Sequence, residues 1–151
     1  MAQAVDEHDL AVSDLRAQLV VLMRRSRSLL IEAAQRVHPD LDATAFILLV
    51  GLREQGRLRG SDLALRHDLD PAAVSRQVRR MVELGLVRSA VDPQDSRAKL
   101  LALTEDGERR LDEVRNGPGA ARISAELTHW PIEQVRSFEA NLRRYNALLD
   151  E

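Results

Sequence analysis

Cysteine is absent from this 151-residue chain. That absence excludes disulfides, thiolate nucleophiles, thiol-based redox sensing and thiolate zinc sites together. Aromatic side chains are few: Phe46, Phe138, Trp130 and Tyr145. Stacking bases on an aromatic platform is therefore not an expected mode of nucleic-acid binding. No apolar run is long enough to span a bilayer. The opening MAQAVDEHDLAV lacks a basic start followed by an apolar stretch, so no secretory signal is expected, and the chain reads as cytoplasmic, without a membrane partner. The histidines are His8, His38, His67 and His129, and none forms an HxH or HxxxH pair, so no metal site is expected. There is no glycine-rich phosphate loop and no nucleophile set beside a base. Neither an enzyme nor a cofactor is expected.

What is present is a globular composition, 44% hydrophobic and 30% charged, with a net charge of −2. The charge is uneven. Residues 57–100 hold nine Lys/Arg against six Asp/Glu, while both flanking segments are net acidic. Positive charge concentrated mid-chain is a footprint of a nucleic-acid partner. Of the 22 basic residues only Lys99 is lysine, which reads as a compositional bias.

Residues 10–37 repeat apolar side chains at helical spacing: Leu15, Leu19, Leu22, Leu29, Ala33 and Val37, widened by Val20, Met23 and Leu30. A stripe that wide predicts burial against more than one neighbour. Pro39 ends this helix, and Asp42 or Thr44 caps the next, which stops at Gly56. Ser61 is the expected N-cap of a short helix over about 62–67, with Leu63, Ala64 and Leu65 turned inward. Asp70 caps the following helix, Pro71 occupies its first position, and Gly85 suits its C-cap. Residues 86–104, LVRSAVDPQDSRAKLLALT, read as a two-stranded hairpin. Thr104 caps a helix that Asn116-Gly117-Pro118-Gly119 interrupts. Further helices follow, the last carrying Ile132, Val135, Phe138, Leu142, Tyr145 and Leu149 on one stripe. His129 and Trp130, before Pro131, read as packing residues.

Two short helices joined by a tight turn and followed by a hairpin make a winged helix-turn-helix. On a helical wheel of the second helix, Val74, Val78, Met81 and Val82 fall on the core side. Ala72, Arg76 and Arg79 fall opposite, flanked by Ala73, Arg80 and Ser75. Arginine on that outer face can donate two parallel hydrogen bonds to guanine or pair with phosphate. Small Ala72 and Ala73 allow close approach to a groove, and Ser75 or Gln77 can reach a phosphate or a base edge. A solvated polar face would explain three arginines alone. It does not explain them on this helix, ahead of a hairpin.

The run DPAAVSRQVRRMVELGLVRSAVDPQDSRAKLLALTEDG resembles the MarR family of bacterial transcriptional regulators. VSRQVRRMVELGLV, the wing DPQDSRAKLLALT and the glycine after Thr104 carry the resemblance, and the order of helices extends it over nearly the whole chain. It implies a mainly α fold with a two-stranded β-wing, a winged helix-turn-helix core flanked by N- and C-terminal dimerisation helices. The 1–151 domain then divides into dimerisation helices at 10–37 and 120–151, a winged helix-turn-helix at 42–104 and a linking helix at 104–119. It implies a homodimer reading a pseudo-palindromic double-stranded operator, as a repressor. The wing arginine of the family enters the minor groove and the preceding aspartate orients it, which points to Arg97 and Asp95, with Lys99 as a phosphate contact. The DNA-binding set is then Ser61, Ala72, Ala73, Ser75, Arg76, Gln77, Arg79, Arg80, Asp95, Arg97 and Lys99. Many members carry Ser or Thr where Ala72 and Ala73 stand, so phosphate bonds there are lost. Members often bind a small aromatic or phenolic effector between the dimer helices and the DNA-binding lobe. Arg24, Arg25, Arg27, His38 and Phe46 are the candidates to line such a cleft. The competing reading is a winged-helix module that binds protein; it leaves Arg76, Arg79 and Arg97 without a task.

Overall fold

The computed structural model describes residues 6–149. Its elements are α1 (Glu7–Val37), α2 (Ala43–Gln55), β1 (Leu58–Arg59), α3 (Gly60–Arg66), α4 (Pro71–Glu83), β2 (Val87–Asp92), β3 (Asp95–Leu103), α5 (Glu105–Arg115), α6 (Pro118–Thr128) and α7 (Ile132–Ala147). Among the described residues no helix is long and apolar enough to cross a membrane. The chain divides into two compact units, Met1–Leu111 and Asp112–Glu151.

Local chemistry sets most of the boundaries. Asp6 caps α1 by accepting from the His8 amide. Asp42 caps α2 by accepting from the Ala45 amide at 2.9 Å. Asp70 accepts from both Ala72 and Ala73 at the start of α4, with Pro71 at its first turn. Such a cap contributes about 1 kcal/mol. Gly85 takes φ 72° just past α4, a backbone that glycine adopts without a Cβ penalty. The Asn116–Gly119 break holds: α5 ends at Arg115 and α6 starts at Pro118.

The core of the first unit is aliphatic. Leu48, Leu49 and Leu52 of α2, Leu63 of α3, Met81 of α4 and Leu86 before β2 are fully buried. Leu101 and Leu103 bring β3 onto that core, and Val37 brings the end of α1. Thr104 ties the corner together: its hydroxyl donates to the Gly85 carbonyl at 2.6 Å and accepts from the Gly107 amide at 3.1 Å. Gly107 lies so close to Leu86 that a Cβ there would sit 2.2 Å from the Leu86 carbonyl oxygen. That contact explains the glycine after Thr104.

Four expectations need correction. The hairpin is part of a three-stranded antiparallel sheet, in the order β1-β3-β2, because Leu58 and Arg59 pair with Leu101 and Leu100. The N-cap of α3 is Arg59, which makes no side-chain cap bond, and Ser61 lies inside the first turn. Pairing of β1 with β3 starts the helix earlier than capping rules alone would. Leu65 is 83% exposed rather than inward. Val82, placed on the core side of α4, is 39% exposed, since an open cleft runs along that flank.

In the second unit α6 and α7 contain no buried residue. Trp130 meets Phe138 edge to face, with centroids 6.3 Å apart. His129 closes the end of α6 through Nδ1 on the Ala125 carbonyl at 2.8 Å. Both are exposed: Trp130 packs on Phe138, and His129 makes a helix-end hydrogen bond.

Candidate nucleic-acid interface

α3, the turn at His67–Leu69 and α4 form the helix-turn-helix. Val74 and Met81 anchor α4 in the core, so its opposite side must face outward. Ala72, Ser75, Arg76 and Arg79 are exposed there, and Ala73 is half-buried at the shoulder. Among the described residues, the Arg76 and Arg79 guanidinium groups have no carboxylate partner. Gln77 and Arg80 differ. The Gln77 side chain donates to Asp42 at 2.6 Å. Arg80 pairs with Asp40, and more loosely with Glu83 at 3.8 Å. The segment joining α1 to α2 therefore holds two of the expected DNA contacts by their side chains. The carboxylates responsible are 35 and 40 residues away in the chain, so helical periodicity carried no sign of them.

The wing stands beside α4. Its strands pair regularly from Val87↔Leu103 to Val91↔Lys99, and then the register shifts to Asp92↔Asp95. The shift leaves Ser96, Arg97 and Ala98 without cross-strand partners. Such a bulge re-aims side chains, and Arg97 lies in it, exposed. The expected side-chain pair between Asp95 and Arg97 is not formed. Asp95 Oδ1 instead accepts from the Arg97 backbone amide at 3.0 Å. A carboxylate two residues back meets the amide before it meets the far end of the arginine. The Arg97 guanidinium is left without a carboxylate partner among the described residues.

Asp92, whose place before Pro93 suits it to shape the turn, does more than that. It is 6% exposed, the buried charged residue among the described ones. Oδ1 accepts from the Gln94 amide at 2.9 Å, which closes the turn. Oδ2 accepts from Arg59 Nε at 2.8 Å, and Arg59 Nη2 meets the same oxygen. These bonds hold the Asp92 carboxyl below the usual carboxylate range, the Gln94 amide first and Arg59 second. They also raise the pKa of Arg59, through its bond to Asp92 above all. A DP pair signalled a turn; nothing local signalled an arginine 33 residues earlier.

Between α4 and the wing runs an open cleft of about 740 Å³. Val78 and Val82 line it, with Ser61, Ser75 and Arg79 on the helical side and Asp95 and Lys99 on the wing. Ser61, Ser75, Arg79, Asp95 and Lys99 thus share one surface, drawn from three elements. The effector candidates do not share one. Arg24, Arg25 and Arg27 are exposed on α1, while His38 caps its far end. At the helical rise of 1.5 Å per residue, Arg24 and His38 are about 20 Å apart. Phe46 is half-buried on α2.

Comparison with known proteins gives these features a context. Residues 41–99 match the sequence model of the MarR family. The HTH-type transcriptional repressor NicR of Pseudomonas putida is 31% identical over 113 residues, covering 74% of this chain and 70% of that protein. The solved structure of BpsR from Bordetella bronchiseptica, described as a mechanism for regulation of DNA binding by 6-hydroxynicotinic acid, is 29% identical. It superposes with a TM-score of 0.59 over 85% of this chain and 98% of that one. A mutant of MarR from E. coli, solved in complex with operator DNA, shares the fold, with a TM-score of 0.65 at 22% identity over 85% of this chain and 91% of that one.

Proposed function

The chain belongs to the MarR family, and from that premise we propose that it is a dimeric, DNA-binding transcriptional regulator that acts as a repressor. The observation that carries the reading is the pair of arginines on the outer face of α4 that have no carboxylate partner among the described residues, beside a wing whose bulge presents Arg97. α4 enters a major groove, where Arg76 and Arg79 reach base edges and phosphates. Ala72, Ala73 and Ser75 let the helix approach closely. Arg97 enters the neighbouring minor groove, where a narrow groove concentrates negative potential. Lys99 and Ser61 contact phosphate. Gln77 and Arg80 are already engaged by Asp42 and Asp40, which compete with DNA for them.

Two copies read the two halves of a pseudo-palindrome, with half-sites about 10 bp apart. The dimer is built from α1, α6 and α7. Leu15, Leu22 and Leu29 of α1 and Ile132, Phe138 and Leu149 of the C-terminal region are all exposed. That much apolar surface, on elements outside the helix-turn-helix, is what a partner copy would cover. A small aromatic ligand relieves DNA binding, a reading supported by the regulation of BpsR DNA binding by 6-hydroxynicotinic acid. If Arg24 and His38 contribute to one site, they do so from different copies, since along one α1 they lie about 20 Å apart; Arg27 and Phe46 are the further candidates.

Footprinting on the region next to the protein's own gene tests the reading. Binding should weaken about 10³- to 10⁵-fold between 50 and 200 mM salt if six to ten phosphates are contacted. Arg76→Ala should cost about 1–3 kcal/mol and relax preference at its base. A flat salt dependence, or an unchanged Arg76→Ala variant, counts against DNA reading by α4.

A further inference from the structure

Arg59 occupies an odd place. It is the N-cap of α3, where Ser, Thr, Asp or Asn would accept a bond from a helix amide. Arginine cannot accept, and Arg59 leaves that bond unmade. Its side chain goes instead to the tip of the wing. Nε and Nη2 both meet Asp92 Oδ2, and Nη1 lies 3.8 Å from Asp95 Oδ2. Asp95 has two oxygens, and they face opposite ways. Oδ2 looks to Arg59, while Oδ1 accepts from the Arg97 amide.

The wing needs such a link. Its base is fastened by Thr104, Leu101 and Leu103. Beyond Ala90 and Leu100 the hairpin is mostly exposed. A two-stranded ribbon is marginally stable by itself, so its tip would sway relative to α4. Arg59 pairs with Leu100 through the β1–β3 ladder and then reaches past it to both ends of the turn. Asp92 is buried under this fork. A buried carboxylate is tolerable only when paired and hydrogen-bonded, so the link is costly to break. The guanidinium's flat array of donors suits two carboxylates at once, which a lysine ammonium cannot reproduce.

We propose that Arg59 is a positioning residue for DNA readout, which sets where Arg97 stands relative to the recognition helix by holding Asp92 and Asp95. The relay runs from the first turn of the helix-turn-helix, through two carboxylates, to the backbone of the wing arginine. Arg59 itself touches no base. It makes the major-groove and minor-groove contacts one rigid unit, so that binding DNA does not have to order the tip. The proposal rests on the reading that Arg97 contacts DNA.

The experiment uses the full chain and a duplex isolated by in vitro selection with the wild-type protein. Affinities are compared for Arg59→Gln, Arg59→Lys, Arg97→Ala, Arg76→Ala and the double variants Arg59→Gln/Arg97→Ala and Arg59→Gln/Arg76→Ala, with thermal unfolding of each. Arg59→Gln alone should weaken binding about five- to thirtyfold, and Arg59→Lys should restore only part of it. In the Arg97→Ala background the further loss should nearly vanish, because the residue being positioned is gone. In the Arg76→Ala background it should persist in full. Contacts that act as a unit show this non-additivity, and distant ones do not. A purely structural role would lower affinity equally in both backgrounds, and that result overturns the proposal. If Arg97→Ala binds like wild type, the wing reading falls, and this proposal with it. If Arg97→Ala is weak but Arg59→Gln is not, the wing reading stands and only the proposal falls. Should Arg59→Gln fail to fold, Asp95→Asn breaks the relay from the other side. It keeps an oxygen for the Arg97 amide and removes the charge that faces Arg59, so it should show the same coupling to Arg97→Ala, reduced in size. Additivity of Asp95→Asn with Arg97→Ala overturns the proposal equally.

Discussion

The two units of the chain handle apolar surface in opposite ways. The N-terminal unit buries Leu48, Leu49, Leu52, Leu63 and Met81 within one chain and leaves most of α1 uncovered. The second unit buries nothing on α6 or α7, although Ile123, Leu127, Ile132 and Phe138 lie there. The first is thus stable by its own packing, and the second is an amphipathic surface whose stability depends on what covers it. Under the proposed function the difference separates reading from assembly: the elements proposed to face DNA pack within one chain, and the exposed apolar faces are left for a proposed second copy.

That contrast can be broken at several points. The largest effect is expected from Phe138→Asp, which puts a charge on the exposed face of α7. The protein should become monomeric by light scattering, and operator affinity should fall about 10²- to 10⁴-fold as the second half-site loses its effective concentration. An unchanged dimer would move the interface elsewhere. Next in size, Leu49→Ala should cost about 2–5 kcal/mol, as a buried leucine leaves a cavity. Its unfolding midpoint should be lower at every protein concentration, whereas Phe138→Asp should remove the concentration dependence itself.

Smaller effects sharpen the division within the reading unit. Asp40→Asn releases Arg80 from the α1–α2 segment. An exposed pair is worth about 0.2–1 kcal/mol, so operator binding should tighten by up to about fivefold, with a slightly steeper salt slope. Weaker binding would instead make Asp40 a support for α4. The smallest expected effect is on pH. The Asp92 carboxyl is held below its usual range by Gln94 and Arg59. A carboxyl depressed in the folded state stabilises above its unfolded pKa and loses that contribution as pH falls through the folded value. Stability should therefore decline from about pH 4 downward, and Asp92→Asn should flatten that decline while lowering stability at neutral pH. A decline of the same depth in Asp92→Asn would assign it to other carboxyls.

Much of this arrangement was legible in short stretches of chain. Asp42, Asp70 with Pro71, Gly85 and Thr104 as the cap of α5 each act within a few residues of where they stand, and each ends or starts an element as its chemistry demands. The outer face of α4 was legible because Val74 and Met81 fix its rotation. Three features were not. Strand β1 is two residues long and exists only because β3 lies beside it. Val82 fits the core stripe of a helical wheel, yet it borders the cleft to the wing, and a wheel cannot know where the neighbouring element stops. Asp92 looked like turn chemistry until Arg59 was placed over it.

The sequence by itself determined most of the helices, the caps at Asp42, Asp70 and Thr104, the interruption at Asn116–Gly119 and the outward direction of Arg76 and Arg79, because these follow from contacts spanning a turn or two of chain. Only the tertiary structure decided which charges are spent on holding the protein and which remain free. Arg59 and Arg80 are taken up by carboxylates 33 and 40 residues away, while among the described residues Arg76, Arg79 and Arg97 have no carboxylate partner. An arginine is written the same way in either case; its partner is set by how the elements pack.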